Sequence, residues 1–199
     1  MDNQDKKRDL IIDAALKRFA HFGLSKTTMT EIAQDLNISK ALLYYYFPDK
    51  IQLYAAVMES LISVMGQAIQ EQVRSAGSTQ ESLSIYLEKR QEFVRTHYNL
   101  LAETGKSPEM PVPVRQMVEK ALESEKQLIA DVLVAGIGRG DVGPLDNPEF
   151  YAEIFLDALS GIRLRMRQFH TFILPDKAQF AEILVKEKAL ATVFLKGLQ

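Results

Sequence analysis

Between Thr28 and Pro48 the chain carries two helix starts and two helix stops, and this crowding constrains its fold more than any other feature. Thr28-Met29-Thr30-Glu31 has the capping-box pattern, in which the Thr28 hydroxyl accepts from the Glu31 amide while the Glu31 carboxylate reaches back to the Thr28 amide. A helix therefore begins there, with Ile32, Ala33 and Leu36 as its apolar face. Asn37 tolerates the left-handed conformation that stops a helix abruptly. Ile38 tucks inward, and Ser39 is a good N-cap for another helix that reaches Phe47. Pro48 ends it, because the residue before a proline is pushed out of the helical region. A longer helix precedes the pair: Ile11, Ile12, Ala15, Leu16 and Phe19 recur at helical spacing from about Lys7 to Phe22, and Gly23 stops it. Two short helices joined by a tight turn behind a longer one have the geometry of a helix-turn-helix.

From Lys50 onward the spacing predicts long helices: Lys50 to about Val73, then Glu81 to about Glu103 behind the box Ser78-Thr79-Gln80-Glu81. Thr104 to Pro113 reads as a proline-rich loop, Val114 to Ala135 as helix, and Ile137 to Pro148 as the longest break. Asn147 with Pro148 at the first helical position opens a helix through about Phe169, and Pro175 opens the last, ending near Leu198. No strand-like alternation or internal repeat competes, so the expected fold is all-α, with a three-helix helix-turn-helix domain over residues 1–50 and a helical bundle over 51–199.

Hydrophobic residues make up 47% and charged ones 25%, which is globular and argues against disorder. The absence of cysteine excludes disulfides, thiolate metal sites and a thiol nucleophile, and fits a cytoplasmic protein. MDNQDKKRDL has no apolar stretch of a signal peptide, and no apolar run approaches the length of a membrane span, so neither export nor a membrane partner is expected. His21, His97 and His170 are scattered, and no HExxH, GxSxG or phosphate-loop pattern occurs; neither catalysis nor a cofactor is expected. Net charge is −2; residues 1–50 hold eight basic against seven acidic side chains, an asymmetry of the right sign for DNA but too small to identify a partner.

The sharper evidence lies in the third helix. Leu43 and Phe47 fall within about 40° of each other on a helical wheel and define its buried side. The opposite side carries Ala41, Leu42 and Tyr45, an apolar and aromatic face of the kind that a partner covers, although three successive tyrosines also suit a core or a protein interface. Ala41 and Leu42 suit a thymine methyl or sugar carbons in the major groove. Tyr44 and Tyr46 project to the edges, where phenolic hydroxyls reach phosphates. Lys40 occupies the first turn, within reach of a guanine edge or a phosphate, and Lys50 adds a cation at the next helix start. Thr28 and Thr30 present hydroxyls at the start of the second helix. A helical module binding only proteins or lipids would account for the helices but not for this face beside Lys40 and Lys50.

From IIDAALKRFAHFG through TTMTEIAQDLNISKALLYYYFPDKIQLY, residues Ile11 to Tyr54, the chain resembles the DNA-binding domain of TetR-type regulators. The family pattern finds counterparts in Ala15 and Phe19, Thr27 and Thr28 with Ile32 and Ala33, Ile38 and Ser39, Leu43-Tyr44 with Phe47, and Lys50. The resemblance implies that Thr28, Tyr44, Tyr46 and Lys50 bind phosphates and that Thr30, Lys40, Ala41 and Tyr45 lie near base edges. Asn37 stands where glycine is usual, and Leu42 where a small or hydroxylated residue is common.

The same resemblance implies a homodimeric, effector-responsive repressor of a double-stranded operator, with the last two long helices pairing with their copies. Phe150, Ile154, Ala158 and Gly161 form a stripe on one of them; Phe180, Ile183, Leu184, Ala191, Phe194 and Leu195 form one on the other. His97 and Tyr98, in a helix otherwise apolar at Tyr86, Phe93, Leu100 and Leu101, and Met65 and Met117 suit the lining of a pocket for an apolar or amphipathic effector, but suit ordinary core or surface as well, so the ligand-binding residues stay unassigned.

Overall fold

A computed structural model describes residues 3–103, 110–169 and 176–199. Among the described residues the regular elements are all helical: α1 (Asn3–Phe22), α2 (Met29–Asp35), α3 (Lys40–Tyr46), α4 (Lys50–Arg74), α5 (Thr79–Thr96), α6 (Tyr98–Glu103), α7 (Val112–Arg139), α8 (Pro148–Phe169) and α9 (Lys177–Lys196). None of these helices is long and apolar enough to cross a membrane.

The caps behave as their chemistry dictates. Gly23 and Asn37 take positive φ, +81° and +50°, and turn the chain out of α1 and α2. Thr28 and Glu31 form the reciprocal capping box of α2, and the Ser39 hydroxyl accepts from the Leu42 amide at 3.1 Å. At α5 the Ser78 hydroxyl accepts from the Glu81 amide, but the Glu81 carboxylate reaches one residue further back, to the Gly77 amide.

Several boundaries differ from those the spacing predicts, α1 and α5 already beginning at Asn3 and Thr79. The helix expected over Glu81–Glu103 is two: the chain leaves helical geometry at His97, whose carbonyl accepts from the Leu101 amide and starts α6. Helix α7 begins at Val112 because Pro113 falls in the first turn, where its missing amide hydrogen has no partner to lose. It also runs on through Ile137, Gly138 and Arg139, stopping only where Gly140 takes φ +82°. The last helix starts at Lys177 behind Asp176, which forms a capping box with Gln179. Pro175, and residues 104–109 of the expected proline-rich loop, lie outside the described residues.

The chain divides into two compact units. Unit 1 comprises residues 1–64 and 97–121. Its core joins Ile11, Ala15 and Phe19 of α1, Ile32 and Ala33 of α2, Leu43 of α3 with Phe47, and Tyr54, Val57 and Met58 of α4. The Phe19 and Tyr54 rings meet edge to face at 5.7 Å, and the buried Tyr54 hydroxyl donates to the Leu100 carbonyl. Met117 is part of this same core.

Unit 2 comprises residues 65–96 and 122–199. Its core takes Leu83, Tyr86 and Leu87 from α5, Ile129 and Leu133 from α7, Ala152, Phe155 and Leu159 from α8, and Ala191 and Leu195 from α9. Met65 packs against its edge. Two stripes that the sequence offers for pairing therefore part company. On α8, Phe150, Ile154, Ala158 and Gly161 are exposed. On α9, Phe180, Ala191 and Leu195 are buried within their own chain, because that side of α9 packs against α5 and α8. The outward side of α9 is instead Ala181, Val185, Ala189 and Val193, of which the two valines are each 68% exposed.

At Gly136 of α7 there is no room for a side chain. A Cβ there would lie 2.2 Å from Thr79 Oγ1 and 2.7 Å from Val142 Cγ2. Thr79 cannot swing aside: it is buried, its amide donates to Asp141 Oδ2 at 2.6 Å, and its hydroxyl accepts from Arg139 Nη2 at 3.0 Å. Gly136→Ala is expected to destabilise the protein by about 1–3 kcal/mol through overpacking, read as a lowered urea midpoint. Gly138→Ala, two residues on, meets nothing within 4 Å and should be neutral or slightly stabilising.

Candidate nucleic-acid interface

The interface is built outward from α3. Leu43 is wholly buried and Phe47 nearly so, and together they fasten α3 to the core of unit 1. That side being fixed, the helical period turns Lys40, Ala41, Tyr44 and Tyr45 outward, and all four are exposed. Tyr45 is 69% exposed. Leu42 is half-buried at the margin of this face. Tyr46 is also half-buried, its ring packed against the core and meeting Tyr45 edge to face at 5.4 Å.

The start of α2 lies on the same unit. Thr28 is exposed but its hydroxyl is engaged in the capping box, donating to Glu31 Oε2 at 2.7 Å and accepting from the Glu31 amide at 3.3 Å. Thr30 is half-buried. The Thr28 hydroxyl and amide hold the Glu31 carboxyl below its ordinary pKa. Arg18 of α1 crosses to α2, donating to Asp35 from Nη2 at 2.8 Å and approaching Glu31 at 3.5 Å; this hydrogen-bonded guanidinium holds the Asp35 carboxyl low. These groups are all at least partly open to solvent, so their contribution is to register more than to stability.

Lys50 has a task that its position in sequence does not reveal. Its ammonium donates to the carbonyls of Leu24 and Thr27, at 2.8 and 2.9 Å, and so clasps the loop between α1 and α2. Two of its three N–H donors are thereby used within the chain. In the same loop the buried Thr27 hydroxyl donates to the Gly23 carbonyl at 2.9 Å.

Helix α1 supplies two further neighbours of α3. Gln4 donates from Nε2 to the Tyr45 hydroxyl at 3.3 Å, and the Arg8 guanidinium lies over the Phe47 ring at 5.2 Å. The basic run Lys6-Lys7-Arg8 is the sequence signal for this edge, but only packing shows that Arg8 reaches α3. Arg8, Tyr46, Phe47, Gln52, Glu59 and Lys120 lie around an open cleft of about 320 Å³ on unit 1.

Residues 11–57, which span α1 to the first turns of α4, match the family model for bacterial regulatory proteins of the tetR family. Over almost the whole chain, the fold superposes on the crystal structure of a transcriptional regulator from Cytophaga hutchinsonii with a TM-score of 0.82 and 31% identity, covering 97% of this chain and 98% of that one. The chain belongs to the TetR family of bacterial regulatory proteins. It is a DNA-binding transcriptional regulator. Among curated relatives, the HTH-type transcriptional regulator YhgD of Bacillus subtilis is 29% identical over 153 residues, covering 76% of this chain and 79% of that protein. Thermus thermophilus FadR, a TetR-family repressor solved in complex with lauroyl-CoA, shares the fold at a TM-score of 0.67 and 22% identity, over 93% of each chain.

Proposed function

We propose that this TetR-family chain is a homodimeric repressor in which residues 1–50 grip the operator and residues 51–199 hold the effector and pair the two copies. One observation carries the DNA-reading half: Lys40, Ala41, Tyr44 and Tyr45 form an exposed apolar, aromatic and basic face on a helix whose other side is locked by Leu43 and Phe47. Such a face finds its complement in a major groove, where Ala41 leaves room for close approach, and Lys40 and Tyr45 address base edges. Thr30 stands at the first turn of α2 toward the same bases. Thr28, Tyr44 and Tyr46 supply hydroxyls to phosphates, and Lys50 supplies its remaining donor. An operator as target makes the cytoplasm the place of action.

Pairing is supported by the uncovered apolar stripes of α8 and α9, Phe150, Ile154, Ala158 and Gly161 on one and Ala181, Val185, Ala189 and Val193 on the other. A lone helix-turn-helix buries too little surface for tight specific binding, while two held about 34 Å apart read successive major-groove faces. Helices α4 and α7 each supply residues to both compact units. An effector that favours one disposition of these helices lowers operator affinity by its differential affinity for the two states. An apolar or amphipathic effector is supported by the lauroyl-CoA held by the FadR relative.

Selecting bound genomic fragments with the purified chain tests this reading, with palindromic enrichment as the expected outcome. Tyr44→Ala should weaken operator and random duplexes alike and lower the salt slope of binding by about one. Lys40→Ala should in addition relax preference at one position per half-site, costing about 1–3 kcal/mol for the cognate base. If both variants bind like the parent chain, α3 does not read DNA.

A further inference from the structure

Four helices of unit 2 bring charge to one place in its interior. Tyr86 and Arg90 come from α5, Glu125 from α7, Arg163 from α8 and Glu187 from α9. Glu125 Oε1 accepts from the Tyr86 hydroxyl at 2.5 Å and from Arg90 Nε at 2.6 Å. Arg163 Nε donates to Glu187 Oε1 at 2.6 Å, and Glu187 is only 2% exposed. The pairs form one electrostatic cluster, since Glu187 acts on Arg90 and Arg163 acts on Glu125. Burial works against the charged carboxylate of Glu125, yet Arg90 and the Tyr86 hydroxyl outweigh it and hold its pKa below the ordinary value. Burial and the neighbouring Glu125 carboxylate push the Tyr86 hydroxyl upward, so it stays a neutral donor.

Both arginines use the same limited part of their donor set. Each spends Nε on a single carboxylate oxygen, whereas arginine–carboxylate pairs are frequently bidentate. Among the described residues, Arg163 Nη2 is buried with no hydrogen-bond partner. A buried donor on a charged group that goes unmet costs on the order of 1–3 kcal/mol or more, so the cluster is balanced in charge but short of acceptors. Some 20–24% of each arginine side chain is still accessible.

We infer that Arg90 and Arg163 are the seat for an oxyanion of the effector, a carboxylate or a phosphate ester, whose oxygens complete the two guanidinium forks. The assignment rests on the reading of residues 51–199 as the effector-binding part, and it deepens that reading: the ligand is amphipathic with an acidic head. A planar carboxylate or a tetrahedral phosphate presents the paired oxygens that guanidinium edges are shaped to meet. Because the four charged residues sit on four different helices, oxyanion binding changes the contacts of α5, α7, α8 and α9 together.

Titration of the full chain with octanoate, octyl phosphate and octanol, followed by calorimetry, tests the seat. At least one anionic probe should bind ten times or more tightly than octanol, and the carboxylate and phosphate arms then identify the head. Arg163→Gln alone strands Glu187, so the decisive variant is the charge-neutral pair Arg163→Gln with Glu187→Gln, its fold checked by circular dichroism. This pair should lose the tenfold preference for the anionic head. Equal binding of all three probes, no binding of the anions up to millimolar concentration, or an undiminished preference in the folded double variant would each overturn the seat. Operator release is read in the same samples: anion binding without release keeps the seat and overturns the effector reading.

Discussion

Leu43→Ala is expected to cost about 2–5 kcal/mol of stability and to abolish operator binding at concentrations where the parent chain saturates. Leu43 is wholly buried among the side chains that join α1, α2 and α4, so truncation leaves a cavity at the point where three elements meet. The loss is a large part of the roughly 5–15 kcal/mol that a domain has in total. It also strikes function directly. Helix α3 has only seven residues, and a helix that short does not persist in water on its own local hydrogen bonds. Its geometry comes from packing through Leu43 and Phe47, and without the first anchor the outward face of Lys40, Ala41, Tyr44 and Tyr45 no longer has a fixed orientation. Leu43→Met keeps the volume and should cost less than about 1.5 kcal/mol and retain binding. Urea unfolding and operator titration check both variants; a Leu43→Ala protein that binds operator like its parent would show that the groove is read by some other element.

Ile154→Glu on α8, or Val193→Glu on α9, should convert the protein to a monomer at micromolar concentration and lower operator affinity by at least about 100-fold, some 2.7 kcal/mol. Both residues are exposed in the chain, Ile154 at 43% and Val193 at 68%, so neither change disturbs a monomer's core, and helicity should be unchanged. In the proposed dimer the same position would face apolar surface, where an unpaired carboxylate carries a desolvation penalty of several kcal/mol. Affinity falls because each half-site then has to be bound without the other. Sedimentation and operator titration provide the two readouts. If both variants stay dimeric, the α8 and α9 stripes are not where the copies meet.

The helix-turn-helix was legible from residues alone because its determinants are local. Capping at Thr28 and Ser39, the left-handed turn at Asn37 and the stop at Pro48 act within four residues along the chain, and the structure reproduces each. So is the orientation of α3, since two large apolar residues four apart leave one way to pack it. The errors fall where local preference was weak or shared. Nothing in the composition around His97 marks the break between α5 and α6, and Ile137-Gly138-Arg139 reads as a loop until Gly140 shows where the chain turns. On α9 the stripe of larger residues was the natural choice for pairing, but the chain buries Phe180, Ala191 and Leu195 itself and leaves Val185 and Val193 outside.

Local chemistry, then, settles which segments are helical in unit 1, where they start and stop, and which side of α3 is offered to a partner, because hydrogen bonds at helix ends and a 3.6-residue period are properties of short stretches. Tertiary structure alone decides that Lys50 clasps Leu24 and Thr27, that Arg8 covers Phe47, and that Tyr86, Arg90, Glu125, Arg163 and Glu187 converge. Those contacts join residues far apart in the chain, and a charged side chain carries no mark of which distant partner will meet it until the apolar faces around it have packed.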